Sequence, residues 1–454
     1  MKWVPRVAKV PRVPGVPGVP RVPGVLLLGL LLLAGCQASE PQSWAQLQKA
    51  LPGLDAAARE TAIERFIAAK GGTPIIENQT RLIFLAKDKD GKSPRVVGDF
   101  NAWAVTPQGY DANIGKTTRI EGTAWSYLES TSYTNARLEY GFLFDQEYTT
   151  DPFNPRTVPA FAGPRSEVRM PFFVAQPEVD ALSRGGETPG PQNAQMAGRS
   201  PGPQMAQMAG QFPGPQKTQM TGQSPGPQMV RGELLAETFA SRSLGGSRRV
   251  WFYLPPGYSR SGDALYPVVY VLDGGNYVEK MDVPRVLDSL IGNKSIPPVI
   301  AVFSEPADRQ EEYSRNPKWR AFITSELVPL VDKRFRTFPT PDHRAILGSS
   351  LAAYGAIDLA VSAPSVFGLC ASIAPPTQTA SVVANQPAAR AAVVSIKFFV
   401  MGGVYDSMID GARLLRTTLD EYSAPVTYLE VSEGHNTNTF RGHLDDALKA
   451  LLPQ

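Results

Sequence analysis

Cysteine and histidine are scarce in this chain of 454 residues. Its two cysteines cannot form a disulfide framework, and no cluster has metal-ligand spacing, so the sequence predicts neither a metal nor a cofactor. An excess of one charge is also missing, because 45 basic residues face 42 acidic ones and leave a net charge of +3. That balance does not indicate the excess of basic residues that nucleic-acid-binding proteins have, and we expect no nucleic-acid partner. Cys370 lies in an apolar run and is expected to be a small buried hydrophobic residue.

A long hydrophobic run is missing near the N-terminus as well. The apolar stretch Val25–Leu33 follows a basic segment and is too short to span a bilayer as a stable helix. It ends in Leu-Ala-Gly-Cys36, and small residues before a cysteine resemble the bacterial lipobox. The resemblance implies that residues 1–35 are a lipoprotein signal peptide and that Cys36 becomes the lipidated N-terminus. Two or more acyl chains anchor a protein durably, so we expect attachment to the bacterial cell envelope, at the outer membrane facing the periplasm or exterior. A plain secretory signal cleaved nearby is the alternative.

Residues 177–231 lack the residues that build a core. The unit Pro-Gly-Pro-Gln recurs there with a spacing of 12 residues (201 − 189), beginning at Pro189, Pro201, Pro213 and Pro225. Few β-branched or aromatic side chains accompany it, so we predict a disordered linker. Such a tether would let the two flanking regions move relative to one another.

The segments before the linker divide into two parts. Residues 36–72 predict a helical N-terminal segment, interrupted at Pro52-Gly53. Residues 73–176 contain short β-rich runs broken by Gly, Asn and Pro, a pattern typical of a small all-β sandwich.

The segment after the linker, residues 232–454, alternates between strand-like and helical runs. The predicted strands are Arg249–Leu254, Tyr266–Leu272, Val299–Ser304, Arg344–Leu347, Phe367–Ile373, Ser395–Met401 and Val426–Val431. The predicted helices are Val283–Leu290, Trp319–Phe335, Leu351–Val361 and Met408–Tyr422. This alternation favours an α/β fold with a doubly wound, mostly parallel sheet.

One turn in this segment has the pattern of a nucleophile elbow. A short apolar strand ends in Gly348-Ser349-Ser350, and an Ala-rich helix follows from Leu351. In such an elbow the sharp turn exposes the serine hydroxyl, and the next amide, here that of Leu351, points toward the same place. Ser350 is therefore the candidate nucleophile. The alternative is an ordinary loop in which a serine caps the helix.

A candidate base and a candidate acid follow in the chain order that such an elbow requires. His435 lies in a polar loop after the strand-like run Val426–Val431, whereas the alternative is a solvated loop histidine. Asp406 follows the run Ser395–Met401 at the position of an orienting carboxylate. Asp410 and Glu433 compete for that role, and Asp406 could instead cap the next helix.

An oxyanion site needs a second backbone donor beside Leu351. The apolar strand Tyr266–Leu272 runs into Asp-Gly274-Gly275, where glycine lets the backbone approach a ligand closely. The amide of Gly274 or of Gly275 is the candidate, and an ordinary glycine turn is the alternative.

These motifs resemble the esterase family of α/β-hydrolases, in particular its enterochelin (ferric enterobactin) esterase-like members. The motifs that carry the resemblance are Leu272-Asp273-Gly274, Arg309-x-x-Glu312-Tyr313 with Asn316, Gly348-x-Ser350-Leu351, Gly402-Gly403-Val404-Tyr405-Asp406 and Gly434-His435-Asn436. Earlier in the chain, Val97-Gly98-Asp99-Phe100-Asn101-x-Trp103 resembles a motif of early-set immunoglobulin-like modules that precede esterase domains. The resemblance implies an α/β-hydrolase domain behind a small immunoglobulin-like sandwich. It also implies the roles of nucleophile for Ser350, base for His435 and acid for Asp406.

The sequence therefore predicts a lipid-anchored serine esterase that acts on a small-molecule or glycan-linked ester. Two alternatives stay open. One is a carbohydrate-active acetyl or feruloyl esterase or an acyltransferase. The other is a catalytically lapsed, lipid-anchored binding protein, because Ala352-Ala353 stand where family members usually have glycines.

Overall fold

The computed structural model describes residues 40–160, 163–175, 230–385 and 389–452. The predicted signal peptide, Cys36 and all but the last two residues of the predicted linker lie outside these ranges. Every helix within them is too short or too polar to cross a lipid bilayer.

Two short helices open the described part of the chain. Helix α1 spans Trp44–Ala50 and α2 spans Ala56–Ala69, with a 3₁₀ turn that contains Pro52 between them. Each begins where the sequence offers a capping side chain, since Ser43 accepts a hydrogen bond from the amide of Gln46 and Asp55 from that of Ala58. The predicted helical segment is thus two helices that cover one face of the following sheet.

Residues 75–169 form two antiparallel sheets, which we call the two-sheet region. Its strands are β1 (Ile75–Glu77), β2 (Arg81–Lys87), β3 (Arg95–Gly98), β4 (Val105–Thr106), β5 (Gly109–Tyr110), β6 (Thr118–Arg119), β7 (Trp125–Thr131), β8 (Arg137–Phe144), β9 (Glu147–Thr149), β10 (Thr157–Val158) and β11 (Arg165–Arg169). One sheet has the order β1-β2-β7-β6, and the other has the order β10-β11-β8-β3 with β9 beside β8. Strands β4 and β5 pair as a separate ribbon.

Strand β2 shows how the layers are held together. Successive side chains of a strand point to opposite faces. Leu82, Phe84 and Ala86 pack against the second sheet, whereas Ile83 and Leu85 pack under the two helices. All five are fully buried, and the region is therefore a three-layer arrangement with an apolar core on each side of β2. Its immunoglobulin-like character stays a prediction.

The C-terminal part is built on a mostly parallel sheet. Its strands are β12 (Glu233–Ser241), β13 (Gly246–Leu254), β14 (Val268–Leu272), β15 (Ile300–Ser304), β16 (Arg344–Ser349), β17 (Leu369–Ile373), β18 (Lys397–Tyr405) and β19 (Val426–Gly434). They lie in the order β12-β13-β15-β14-β16-β17-β18-β19, and every pairing from β15 onward is parallel. This topology fits the predicted α/β-hydrolase fold.

Helices cover both faces of this sheet, which is why its central strands are buried throughout. The helices are α3 (Val283–Gly292), α4 (Arg309–Tyr313), α5 (Pro317–Ala321), α6 (Val328–Arg334), α7 (Leu351–Ser362), α8 (Thr379–Ala384), α9 (Ala389–Val393), α10 (Ile409–Glu421), α11 (Thr437–Gly442) and α12 (Leu444–Leu451). The helix predicted over Trp319–Phe335 is present, because α5 and α6 are joined without a break by a π-helical turn at Phe322–Leu327. Pro329 lies just after this turn, and a proline cannot donate the backbone hydrogen bond that a regular helix needs there.

Strand β12 was not predicted, because its side chains alternate between exposed and half-buried and form no apolar run. It is the edge strand and pairs only with β13 among the described strands.

The two regions lie in one compact unit that begins at Pro41. A buried ion pair joins Arg137 of β8 to Glu433 of β19. This contact does not fit the expectation that the linker lets the regions move apart.

Candidate active site

The three predicted site side chains project from one edge of the parallel sheet. Ser350 follows β16, Asp406 follows β18, and Gly434 at the end of β19 precedes His435. The carboxyl ends of parallel strands meet at the same edge, which is where α/β folds bind their ligands. Residues far apart in sequence are brought together in this way.

The turn at Ser350 has the geometry of a nucleophile elbow. Ser350 has φ 58° and ψ −128°, a conformation that non-glycine residues rarely adopt and that is found at functional sites. Gly348 makes the turn possible, because a Cβ there would lie 2.2 Å from the carbonyl oxygen of Ala352. Ala352 itself is fully buried, so alanine fits at the position where the usual pattern has glycine.

The imidazole of His435 lies between the other two side chains. Its Nε2 is 3.1 Å from Ser350 Oγ, and its Nδ1 is 2.8 Å from Asp406 Oδ2. The His435 side chain is 31% exposed, whereas that of Asp406 is 1% exposed. The ring of Phe440 packs edge-on against the imidazole, with centroids 5.1 Å apart. A hydroxyl, an imidazole and a buried carboxylate therefore form one chain of hydrogen-bonding groups.

Asp406 faces His435 and is not the N-cap residue of α10, which is Met408. Its Oδ2 faces His435, while its Oδ1 accepts a hydrogen bond of 2.8 Å from the amide of Met408, just before α10. The rival Asp410 lies on α10 with a side chain 81% exposed and pairs with Arg413. The other rival, Glu433, points away from His435 toward Arg137 and His443.

The oxyanion candidates differ in whether their amides are free. Within the described part of the chain, the amides of Leu351 and Gly274 donate no hydrogen bond. The amide of Gly275 donates to Glu305 Oε2 at 2.5 Å. Burial raises the pKa of Glu305, although this hydrogen bond opposes the shift. The amide of Gly275 is therefore already paired in this structure, whereas that of Gly274 is available to a ligand, and the choice of Gly274 as second donor stays a prediction.

Several residues of the sequence motifs hold the turn at Asp273-Gly274-Gly275. Asp273 has φ 59° and accepts two hydrogen bonds from the guanidinium of Arg309, of 2.8 and 2.6 Å. The Tyr313 hydroxyl donates to the same carboxylate and accepts from the Asp273 amide, both at 3.0 Å. A bidentate pair of this kind fixes geometry as well as charge. The turn that presents Gly274 is therefore held by α4.

A second group of residues surrounds the loop of His435, and sequence reasoning did not assign them to this place. Burial alone would raise the pKa of Glu433, but Arg137 and His443 outweigh it and lower that pKa to about 2. Burial would lower the pKa of His443, yet the carboxylates of Asp446 and Glu433 raise it to about 9. Asp99 accepts a hydrogen bond from Asn436, and its burial raises its pKa to about 6. Asp99 had a signal in the sequence as part of the Gly-Asp-Phe-Asn motif, and Glu433 was named there only as a rival acid.

Comparisons with known proteins show which family and fold the chain resembles. Residues 241–450 match the sequence model of the family described as putative esterase. The chain is 25% identical over 223 residues to the iron(III) enterobactin esterase of Escherichia coli, which covers 46% of this chain and 54% of that protein. It is 27% identical over 150 residues to an endo-1,4-beta-xylanase/feruloyl esterase of Xylanibacter ruminicola, covering 30% of this chain and 21% of that protein.

A solved structure supports the fold over more of the chain. The enterobactin esterase of Shigella flexneri, determined in the presence of enterobactin, superposes with a TM-score of 0.61. The superposition covers 86% of this chain and 97% of that one at 19% sequence identity. By sequence, the chain spans only a little more than half the length of the first curated relatives that it matches. Together the comparisons support an esterase of the α/β-hydrolase type.

Proposed function

We propose that the chain is a serine carboxylic-ester hydrolase that works through Ser350, His435 and Asp406. The observation that carries the proposal is the continuous arrangement of Ser350 Oγ, His435 and Asp406, with separations of 3.1 and 2.8 Å. An unactivated serine is a weak nucleophile, and an adjacent oriented base is what activates it.

In the proposed reaction, the Ser350 oxygen attacks the ester carbonyl carbon while His435 Nε2 accepts the hydroxyl proton. Asp406 holds the other ring nitrogen as the N–H donor and stabilises the imidazolium that forms. The amides of Leu351 and Gly274 would donate to the oxyanion. Collapse of this intermediate breaks the bond to the alcohol, which leaves with the proton from His435. Water then attacks the acyl carbon as His435 takes its proton, and the bond to Ser350 breaks as His435 returns that proton to the serine oxygen, which releases the acid.

Replacement of Ser350 by alanine tests the proposal. We expect Ser350→Ala to lower kcat for a short p-nitrophenyl ester by about 10⁴-fold or more, because no other described group replaces the attacking oxygen. Ser349→Ala is the matched control and should retain activity, since that buried neighbour lies on the strand. Equal activity of Ser350→Ala and wild type, with both folded, would contradict the proposal.

We infer two candidate substrate classes for this site. A siderophore lactone is favoured by the similarity to enterobactin esterases, and a feruloyl or acetyl sugar ester is favoured by the similarity to the xylanase/feruloyl esterase. A comparison of kcat/KM on a cyclic triserine lactone and on a feruloylated arabinose distinguishes them.

We also propose that the protein is attached to a membrane through Cys36. The support is the apolar run that ends in Leu-Ala-Gly-Cys36, together with the basic residues before it. Metabolic labelling with an alkynyl palmitate should mark the wild type and leave Cys36→Ser unlabelled. Labelling of both forms to the same extent would contradict this anchor.

A further inference from the structure

The segment that carries His435 is attached to the two-sheet region along most of its length. Ser432 Oγ donates to Asn135 Oδ1 at 2.9 Å, and Asn438 Nδ2 donates to Glu139 Oε1 at 2.7 Å and to the carbonyl of Pro159 at 2.9 Å. These contacts lie on both sides of the histidine. The loop is therefore fixed by residues that belong to another sheet.

Arg137 makes the central contact. Its Nε and one terminal nitrogen both donate to Glu433 Oε2, at 2.7 and 2.5 Å, and the terminal nitrogen also donates to Thr439 Oγ1 at 3.1 Å. The side chains of Arg137 and Glu433 are only 7% and 5% exposed. Charge-assisted hydrogen bonds shielded from water in this way are strong and specific in geometry. One guanidinium thus joins residues on either side of His435.

Asp99 lies directly against the backbone of the loop. A Cβ on Gly434, the residue before His435, would lie 2.1 Å from Asp99 Oδ1. The carboxylate is itself held by the amide of Glu139 at 2.7 Å and by the Trp103 indole at 2.9 Å. The backbone beside the histidine therefore rests against a fixed group of the two-sheet region.

The Asp406 loop has a similar attachment. Tyr405, the residue before Asp406, accepts a hydrogen bond of 2.9 Å from the amide of Tyr133, and its hydroxyl lies 3.0 Å from that of Ser132. The rings of Tyr405 and Tyr133 also meet edge-on, with centroids 5.8 Å apart. Both groups that must align with Ser350 are thus carried by loops that the two-sheet region holds.

Resting on the proposed function, we propose that the two-sheet region is a positioning element of the active site. Arg137 and Asp99 hold the His435 loop in register with Ser350, and Ser132 and Tyr133 hold the Asp406 loop. None of these residues touches the reacting atoms, so Arg137 is a positioning residue and not a catalytic one. A misplacement of about 1 Å by a remote change can cost about 100-fold in rate, which makes such an element measurable.

The test uses the full chain with Arg137→Gln and Arg137→Lys, and a short p-nitrophenyl ester. We expect Arg137→Gln to lower kcat by about 10- to 100-fold with KM changed by less than about twofold, since alignment rather than binding is lost. Arg137→Lys keeps the charge and should restore part of kcat. The matched control is Arg81→Gln, which breaks an ion pair with Glu129 within the same region. It should leave kcat near the wild-type value.

Amide hydrogen exchange separates positioning from general loosening. In Arg137→Gln we expect faster exchange in residues 432–439, and unchanged exchange at the elbow, residues 348–353.

If Arg137→Gln does not fold, Tyr405→Phe is the second variant. It should fold, and its kcat should fall by about threefold or more at constant KM. The inference is overturned if a folded Arg137→Gln keeps the wild-type kcat or changes only KM. If Arg137→Gln does not fold, full activity of Tyr405→Phe overturns it.

Failure of this inference can be told apart from failure of the proposed function. If Ser350→Ala is inactive while Arg137→Gln is fully active, the serine mechanism stands and the positioning role is wrong. If Ser350→Ala keeps wild-type activity, the proposed function itself is wrong.

Discussion

The nucleophile turn and the histidine loop are held in place by different parts of the chain. The turn at Ser350 is shaped within its own sheet, since Gly348 packs on the carbonyl of Ala352 and the Ser350 amide donates to the carbonyl of Ile373 on the adjacent strand β17. The histidine loop is held by Arg137 through Glu433, a contact between residues 296 positions apart. One half of the site is thus built within a single sheet, and the other half depends on the association of two sheets.

After the loss of the Ser350 hydroxyl, the largest effect that we expect comes from Asp406, which orients the His435 ring toward Ser350. Asp406→Asn should lower kcat by about 10³- to 10⁴-fold, because an amide cannot hold His435 in the tautomer that accepts the serine proton. Folding should be retained, since the asparagine oxygen can still accept from the Met408 amide. Steady-state kinetics and thermal unfolding measure both quantities.

Asp410→Asn is the matched control for that variant, because Asp410 is the exposed rival carboxylate. It should leave kcat unchanged. Loss of activity in Asp410→Asn together with full activity in Asp406→Asn would show that the acid has been misassigned.

Two glycines allow the comparison itself to be tested. A Cβ on Gly348 would meet backbone at 2.2 Å, and a Cβ on Gly434 would meet the Asp99 side chain at 2.1 Å. Gly348→Ala should therefore destabilise folding by about 1–3 kcal/mol and lower kcat by about 100-fold, because backbone must move. Gly434→Ala should have a smaller effect, of about 10-fold on kcat, because the side chain of Asp99 can give way.

Asp99→Ala sharpens this prediction. The double variant with Gly434→Ala should lose less stability and less kcat than the sum of the two separate losses, since the clashing carboxylate is gone. Combined with Gly348→Ala, Asp99→Ala should give only the sum, because no contact links those positions. Additive behaviour of both pairs in thermal unfolding and kcat would argue against a close contact at Gly434.

The smallest effect is a dependence of stability on pH. The pKa of His443 is raised from 6.5 to about 9 in the folded protein. Its stabilising contribution is therefore complete below pH 6.5 and is lost as the pH rises through about 9. We expect the unfolding temperature to fall between pH 7 and 9, and His443→Gln to show a shallower fall. Scans at constant ionic strength check this, and an identical slope in the two proteins would contradict the assignment.

Features that depend on neighbouring residues could be predicted from the sequence, and features that depend on long-range packing could not. The elbow, the parallel sheet and the Asp406 loop are signalled by short runs of neighbouring residues. Strand β12 gave no such signal, because an edge strand with one exposed face lacks an apolar run. The occupation of the Gly275 amide by Glu305 and the pair of Arg137 with Glu433 depend on long-range packing. In each of these two pairs the partners are far apart in the sequence, so no short run of residues indicates the contact.

Reaction with a fluorophosphonate probe tests the central claim most directly. The Ser350 oxygen should attack phosphorus and release fluoride, so that mass spectrometry finds one covalent adduct, on the peptide that contains Ser350. Ser350→Ala should remain unmodified under the same conditions, and His435→Ala should react much more slowly. An unmodified wild-type protein, or an adduct on a different serine, would contradict the account.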